Sequence, residues 1–292
     1  MFKRLVKAAL AVVPLGAAAL YIATMPATVA PQELGPRQVD LARGEAVFWA
    51  SGCASCHAGD GGDKRVLAGG VRLASPYGVF VAPNISPDPK AGIGGWSEAE
   101  FVTAMLKGTS PEGEHYYPAF PYGSYAKMTL GDVRDLWGYL QSLPPTDVVA
   151  PRNELGFPFN IRRAVGLWKL LYLSPEPVID GAPEPGRYLV EGPGHCAECH
   201  TPRDLAGGLK TDQWMAGAPN PSGPGRIPNI TPSDSGIGSW TAEDIAYYLE
   251  SGFTPEFDSA GGSMAKVVDN TARMTPQERM AIATYLKAIP PR

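Results

Sequence analysis

A chain of 292 residues with 44% hydrophobic and 18% charged side chains holds apolar material for about two globular domains of ordinary size, and its composition is neither disordered nor fibrous. A formal net charge of −4 supplies no basic footprint, which excludes nucleic acid as an expected partner. The 34 glycines and 30 prolines predict short helices joined by long, stiff loops rather than a sheet-rich fold.

The first thirty residues differ from the rest. Lys3, Arg4 and Lys7 precede an uncharged run from Ala8 to Gln32, and the first acid is Glu33. A positive end followed by an apolar run signals export. The run exceeds the usual signal-peptide core of about 7 to 15 residues and meets the roughly 20 needed to span a bilayer, with Pro14 and Gly16 as points of kinking. In "ATVAPQ", cleavage after Ala30 would leave Thr28 at −3 and Pro31 just beyond, a mediocre site. Residues 1–30 are therefore expected to be an uncleaved N-terminal membrane anchor or, as the alternative, a cleaved signal peptide. The basic flank puts the remaining chain outside the cytoplasm, on the periplasmic face of a bacterial inner membrane or free in the periplasm after cleavage. Without these residues the balance is 22 basic against 29 acidic side chains, a solvated acidic surface compatible with a basic partner.

All four cysteines sit in two copies of one motif. "GCASCH" gives Cys53, Cys56 and His57, and "HCAECH" gives Cys196, Cys199 and His200. CxxCH is the attachment signature of a c-type haem: two thiols at this spacing can add to the two vinyl groups, and the adjacent histidine reaches the iron. A thioredoxin-like CxxC would need a βαβ pattern, which is missing. A zinc site would need four converging ligands, whereas the motifs lie 143 residues apart. Two covalently bound haem c groups are expected.

The segments after each motif run in step. "APNISPDPKAGIGGWSEAE" (82–100) matches "IPNITPSDSGIGSWTAED" (227–244), and "MTLGDVRDLWGYLQSLPP" (128–145) matches "MTPQERMAIATYLKAIPP" (274–291). Helix starts fall at matching points. Ser97 with Glu100 and Thr241 with Asp244 read as capping boxes, and Thr129 and Thr275 open terminal helices, the latter with Pro276 at its first position. Leu136, Trp137, Leu140 and Leu143 recur at helical spacing in the first copy, answered by Ile282, Ala283, Leu286 and Ile289 in the second.

Both CxxCH motifs, the two "PNI[ST]" turns, the two "GIG[GS]W" turns and the aromatic loop "HYYPAFPYGSYAKMT" (115–129) resemble class I cytochromes c. More specifically they resemble the membrane-associated cytochrome c subunits of periplasmic quinoprotein and flavoprotein dehydrogenases, over nearly all of residues 40–290. This chain departs from the commonest of those subunits in having two haem motifs rather than three. The resemblance implies a mainly α fold of two tandem class I cytochrome c domains, each wrapping a haem with the motif helix, a middle helix and a terminal helix. It also implies a backbone carbonyl at Pro83 or Pro228 bonded to the proximal histidine, and places Trp96 and Trp240 near a haem propionate; simple core packing is the equal alternative.

The iron ligands expected on the proximal side are His57 and His200. The sixth ligand decides between carrier and enzyme, since an open position admits peroxide or small ligands. In the second copy Met264, in the glycine-flanked "GGSMAKVV", is favoured over Met274, which sits where an apolar residue staples a helix start. In the first copy the residue 24 beyond Trp96 is Phe120, where the same step beyond Trp240 gives Met264. Met128 and His115 remain as alternatives, with the family resemblance favouring Met128. His195, beside the second motif, reads as a propionate or surface contact.

Boundaries follow at residues 38–146 for the first cytochrome c domain, 147–185 for a linker and 186–292 for the second domain, after the 1–30 segment. In the linker, Ile161, Val165, Trp168 and Leu171 or Tyr172 share one helical face, with Arg162, Arg163 and Lys169 off it. Such a helix packs across the two domains or rests on a membrane. The function expected is relay of single electrons from a periplasmic dehydrogenase or respiratory complex to a respiratory-chain acceptor, with no catalytic side chains; the expected redox partners are a dehydrogenase, a quinol-oxidising complex or a terminal oxidase. The alternative is a diheme peroxidase-type enzyme with one open iron.

Overall fold

The computed structural model describes residues 14–59, 62–221 and 223–292. Residues 14–23 are helical and exposed, and they end at the buried Thr24. No helix among the described residues is long and apolar enough to cross a membrane, and residues 1–13 of the expected anchor or signal lie outside the described residues.

Helix α1 (Pro31–Leu34) leads to α2 (Leu41–Ala50), whose first turn is held by the Asp40 carboxylate accepting from the Arg43 N–H. Helix α3 (Cys53–His57) is a single turn entered through Gly52. Strands β1 (Arg72–Ser75) and β2 (Gly78–Val81) form an antiparallel hairpin with Arg72 opposite Val81, and the later β3 (Glu154–Leu155) adds to β2. Helix α4 (Glu98–Lys107) starts in the predicted capping box: Ser97 Oγ accepts from the Glu100 N–H at 3.3 Å, and Glu100 accepts from the Ser97 N–H at 2.6 Å. The aromatic loop contains one helical turn, α5 (Tyr122–Tyr125), before α6 (Leu130–Gln141) begins at Thr129 as expected.

The linker holds α7 (Val165–Tyr172), and α8 (Gly186–Glu191) precedes the second motif turn, α9 (Ala197–His200). A two-stranded pair follows, β4 (Ala218–Pro219) with β5 (Arg226–Ile227). Helix α10 (Ala242–Ser251) starts at the Thr241–Asp244 capping box, α11 (Ser263–Thr271) follows, and α12 (Pro276–Ala288) starts at Thr275.

Two hydrophobic cores form. The first centres on Phe48, Val102, Val133, Leu136 and Leu140, and the second on Val190, Met215, Ala283, Tyr285 and Leu286. The same helix crossing organises both. In the first, α2 crosses α6 at Gly44, where an added Cβ would lie 2.2 Å from the Asp135 carbonyl oxygen and 2.8 Å from Tyr139 Cβ. In the second, α8 crosses α12 at Gly186, where it would lie 2.0 Å from the Ala281 oxygen and 2.9 Å from Tyr285 Cβ. Only a residue without a side chain lets the helices approach so closely.

Polar contacts join the halves. Arg43 donates to Asp132 through Nε at 2.8 Å and a terminal nitrogen at 2.6 Å, and Tyr188 of α8 donates its hydroxyl to the same carboxylate. Asn270 of α11 donates to Ser55 Oγ of the first motif at 2.7 Å, and the Arg273 guanidinium lies 4.1 Å from the Trp49 ring centroid. Burial raises the Asp132 carboxyl, but the bonds from Arg43 and Tyr188 outweigh it and hold the group below its ordinary value. A carboxyl depressed on folding gives stability that is present above its unfolded value of about 3.9 and is lost as pH falls through the lower folded value. Tyr188→Phe removes a bond to a charged group worth about 1.5–3 kcal/mol. It should move the acid-unfolding midpoint, read by far-UV circular dichroism, to higher pH; an unmoved midpoint would show that Asp132 does not couple the halves.

The linker helix keeps the Val165, Trp168 and Tyr172 side of its expected inward face, with Trp168 against Tyr122, and departs from expectation elsewhere. Val165 and Gly166 are buried, but Ile161 and Leu171 are exposed, and Lys169, expected off the packed face, turns inward. Lys169 Nζ donates to the Lys107 and Gly108 carbonyls at 2.6 Å each, supplying donors to the open C-terminal end of α4. At its other end Tyr172 donates to Asp204 at 2.7 Å, so α7 bridges the two halves.

Candidate haem sites

Each CxxCH motif is one helical turn, which brings both thiols of a pair to the same side with the histidine next to the second. None of the four cysteines is in a disulfide. Desolvation pushes Cys53 and Cys196 up to about 12, so they are neutral thiols before any attachment. The motifs face the seam between the halves. Cys199 is raised chiefly by burial and by Glu198, with a further contribution from Cys56.

The histidines are held alike. His57 Nδ1 donates to the Pro83 carbonyl at 2.8 Å and His200 Nδ1 to the Pro228 carbonyl at 2.9 Å, the carbonyls that the family resemblance implied. A carbonyl can only accept, so Nδ1 carries the proton and Nε2 presents its lone pair. Burial lowers both imidazoles, outweighing the opposing hydrogen bond, and keeps them neutral.

The acceptor carbonyls are positioned by matching loops. Gly69 (φ +74°) donates its N–H to the His57 carbonyl at 2.8 Å, and Gly217 (φ +79°) does the same for His200 at 2.8 Å. A Cβ on either would fall within 3 Å of the Pro83 or Pro228 carbonyl carbon, at 2.5 and 2.9 Å. The "PNI[ST]" turns supply the other side. Asn84 and Asn229 accept from the N–H two residues on, at 2.8 Å in each case. Their amides then tie down the chain leaving the terminal helices, Asn84 at the Thr146 and Val148 carbonyls and Asn229 at the Arg292 carbonyl.

The sixth-ligand candidates fall in different surroundings. Met128 is 5% exposed within the first core, one residue before the Thr129 cap, and Met274 is 7% exposed in the equivalent place of the second core. Met264, expected in a loop, lies in the first turn of α11 and packs half-buried against the second core. The turn forms because Gly262 (φ +55°) lets the backbone reverse into it.

His115 is buried and its Nε2 donates to the Thr24 carbonyl at 3.0 Å, while Nδ1 has no partner. His195, expected at a propionate or the surface, instead bonds the Ser51 carbonyl at 3.1 Å across the seam, its ring 5.7 Å from that of Tyr125.

The aromatic loop packs inward. Phe120 lies 5.7 Å from both Tyr116 and Tyr125, and Tyr122 is fully buried beneath Trp168 and Lys169. Burial lowers Lys169 to about 7. Trp96 and Trp240 are half-buried at the edges of their cores, the latter edge-on to Tyr248. Sequence reasoning missed Gly69 and Gly217; the signal was the Ala-Gly pair, 68–69 and 216–217, shared by the two copies. It also missed Lys169, whose inward turn leaves no mark in a helical pattern.

Paired thiols on one turn, an adjacent neutral imidazole with a free Nε2, and a methionine in the same core form a donor set suited to covalent haem. The chain matches the cytochrome c family over residues 41–144, which contain the first core and motif. It is 52% identical over 282 residues to a diheme cytochrome c-type protein of Cereibacter sphaeroides, covering 94% of each chain. It therefore belongs to the diheme c-type cytochromes, and its cofactors are two covalently bound haem c groups. It is also 35% identical to the fructose dehydrogenase cytochrome subunit of Gluconobacter japonicus, over 89% of this chain and 54% of that one. With the cytochrome c subunit of a quinone alcohol dehydrogenase from Gluconobacter oxydans it shares 33% identity, over 86% and 55% of the two chains. The chain spans about half the length of these two dehydrogenase subunits.

Proposed function

We propose that this protein consists of two tandem class I cytochrome c domains, residues 38–146 and 186–292, joined by the linker 147–185. It relays single electrons from a periplasmic dehydrogenase to a respiratory-chain acceptor. Haem iron supplies the one-electron chemistry when bound. Cys53, Cys56, Cys196 and Cys199 provide attachment, His57 and His200 the proximal ligands, and Met264 and Met128 the sixth ligands.

The observation that carries this reading is the state of the four histidines. Two hold Nδ1 on a proline carbonyl with Nε2 free beside their own thiol pairs, whereas His115 and His195 hold Nε2 on the Thr24 and Ser51 carbonyls. His115 keeps an unpartnered Nδ1, but its ring lies against Thr24 and against Gly166 of the linker helix, which weighs against it as a ligand. The names of the dehydrogenase subunits it resembles support a dehydrogenase as donor.

The same reading keeps the N-terminal segment as a membrane attachment. Arg163 donates to the Tyr21 carbonyl at 2.5 Å and the Thr24 carbonyl at 2.6 Å, and the Val29 N–H bonds Thr103 Oγ1 at 2.9 Å. Cleavage after Ala30 would strip these partners from Arg163, His115 and Thr103.

A pyridine haemochrome assay on purified protein is expected to give two haems per chain, with no peroxide turnover. One haem or none would sink the reading, and peroxide turnover would give the site to the enzyme alternative.

A further inference from the structure

Residues 155–175 contain no acidic side chain, although the chain has 29 acids, and their apolar side chains point largely outward. Phe157 is 81% and Leu171 73% exposed, with Phe159, Leu167 and Leu170 also exposed. Leu167, Leu170 and Leu171 share the outer face of α7, opposite the side that packs on Tyr122. Neighbouring loops extend this face. Tyr77 stacks on Phe159 at 4.9 Å, and the turn at Gly207, beside Tyr77 and Trp168, carries the fully exposed Leu205. A contiguous apolar surface of this kind marks an interaction site in a soluble fold.

The basic residues here are already engaged. Arg162 pairs with Glu114 at 2.6 Å, Arg163 holds the end of the N-terminal helix, and Lys169 caps α4. What remains outward is apolar. The Arg163 contacts, with its guanidinium 4.5 Å from the Tyr21 ring centroid, fix α7 beside a helix whose own exposed residues include Leu15, Leu20 and Ile22. Gly166 sits against the Thr24 carbonyl, where a Cβ would approach to 2.6 Å, so the two segments meet directly. The chain before that helix carries three basic residues and no acid.

We propose that the outer face of α7, with Phe157, Phe159 and Leu205, lies in the interfacial layer of a lipid bilayer beside the N-terminal helix. The proposal rests on the reading of that helix as a membrane attachment. An apolar helix face with its cations turned inward is suited to lying flat at the acyl boundary. It makes the linker a second contact that sets how the cytochrome stands on the membrane.

The test uses the full holoprotein in uncharged phosphatidylcholine vesicles containing a photoactivatable acyl-chain lipid, with labelled peptides mapped by mass spectrometry. Label is expected in residues 155–175 as well as 14–25, and it should persist at high salt. The double variant Leu167→Glu/Leu171→Glu should lower labelling of 155–175 several-fold while keeping both haems and the label in 14–25. Label confined to 14–25, or undiminished in the double variant, would overturn the proposal and leave the attachment standing. Label in neither segment would overturn the attachment as well. Cross-links joining 155–175 of two copies without lipid label would give the face to self-association.

Discussion

Met128→Leu is expected to remove the low-spin signal of one haem from the oxidised electron paramagnetic resonance spectrum and leave the other unchanged. Leucine keeps nearly the same volume, so the packing cost should stay below about 1.5 kcal/mol; the spectral change then reports the sulfur rather than a damaged core. The potential of that haem should fall by an amount of order 0.1 V, well inside the roughly 0.8 V range that axial ligation covers. Met264→Leu should act in the same way on the second haem alone. The rival account is packing, because Met274 occupies the equivalent buried position before α12. Met274→Leu is therefore the control that should change neither signal. If Met128→Leu leaves both low-spin signals intact, Met128 is a staple like Met274. If His115→Ala removes one, the first haem is bis-histidine.

Gly44→Ala and Gly186→Ala should each destabilise their own core strongly. In an exposed helix the exchange would help by about 1 kcal/mol. Here the new Cβ meets backbone carbonyl oxygens at 2.2 and 2.0 Å, groups that cannot swing aside as a flexible side chain would. Overpacking of this kind costs about 1–3 kcal/mol or more, a large part of the 5–15 kcal/mol that holds a typical domain. The urea midpoint should drop with an unchanged slope. Because α2 and α8 lead directly into the two motif turns, haem occupancy should fall in the affected half. A midpoint equal to or above that of the unaltered protein would show that the helices separate freely, contrary to the crossing described.

The helix starts were legible because capping is a local, short-range event. Ser97, Thr129, Thr241 and Thr275 each hold the N–H three residues on, as the sequence spacing predicts. The motif turns and the carbonyls of Pro83 and Pro228 were legible through resemblance. The turn at Tyr122–Tyr125 and the helix Ser263–Thr271 were not, since prolines and glycines in the sequence signal loops while tertiary packing decides whether the chain closes into helix. On α7, Val165, Trp168 and Tyr172 face inward as the spacing predicts, but Lys169 was misplaced for a related reason. Apolar periodicity assumes that lysine faces water, whereas Lys169 meets the open carbonyls of α4, a partner 62 residues distant in sequence. Likewise nothing local reveals that His195 reaches Ser51 or that His115 closes on Thr24; both depend on how distant segments meet.

The two proline carbonyls that receive His57 and His200 have a kinetic consequence. Pro83 and Pro228 have ring-locked backbones, and each carbonyl is also braced by a glycine turn and an asparagine-held loop. The imidazoles are thereby denied rotation about their own axes. On the proposed reading of these imidazoles as iron ligands, a ring held in this way would need little nuclear rearrangement when the charge of the iron changes by one. Small rearrangement would lower the barrier to electron exchange in both directions, a role for two peptide groups that carry no redox chemistry of their own.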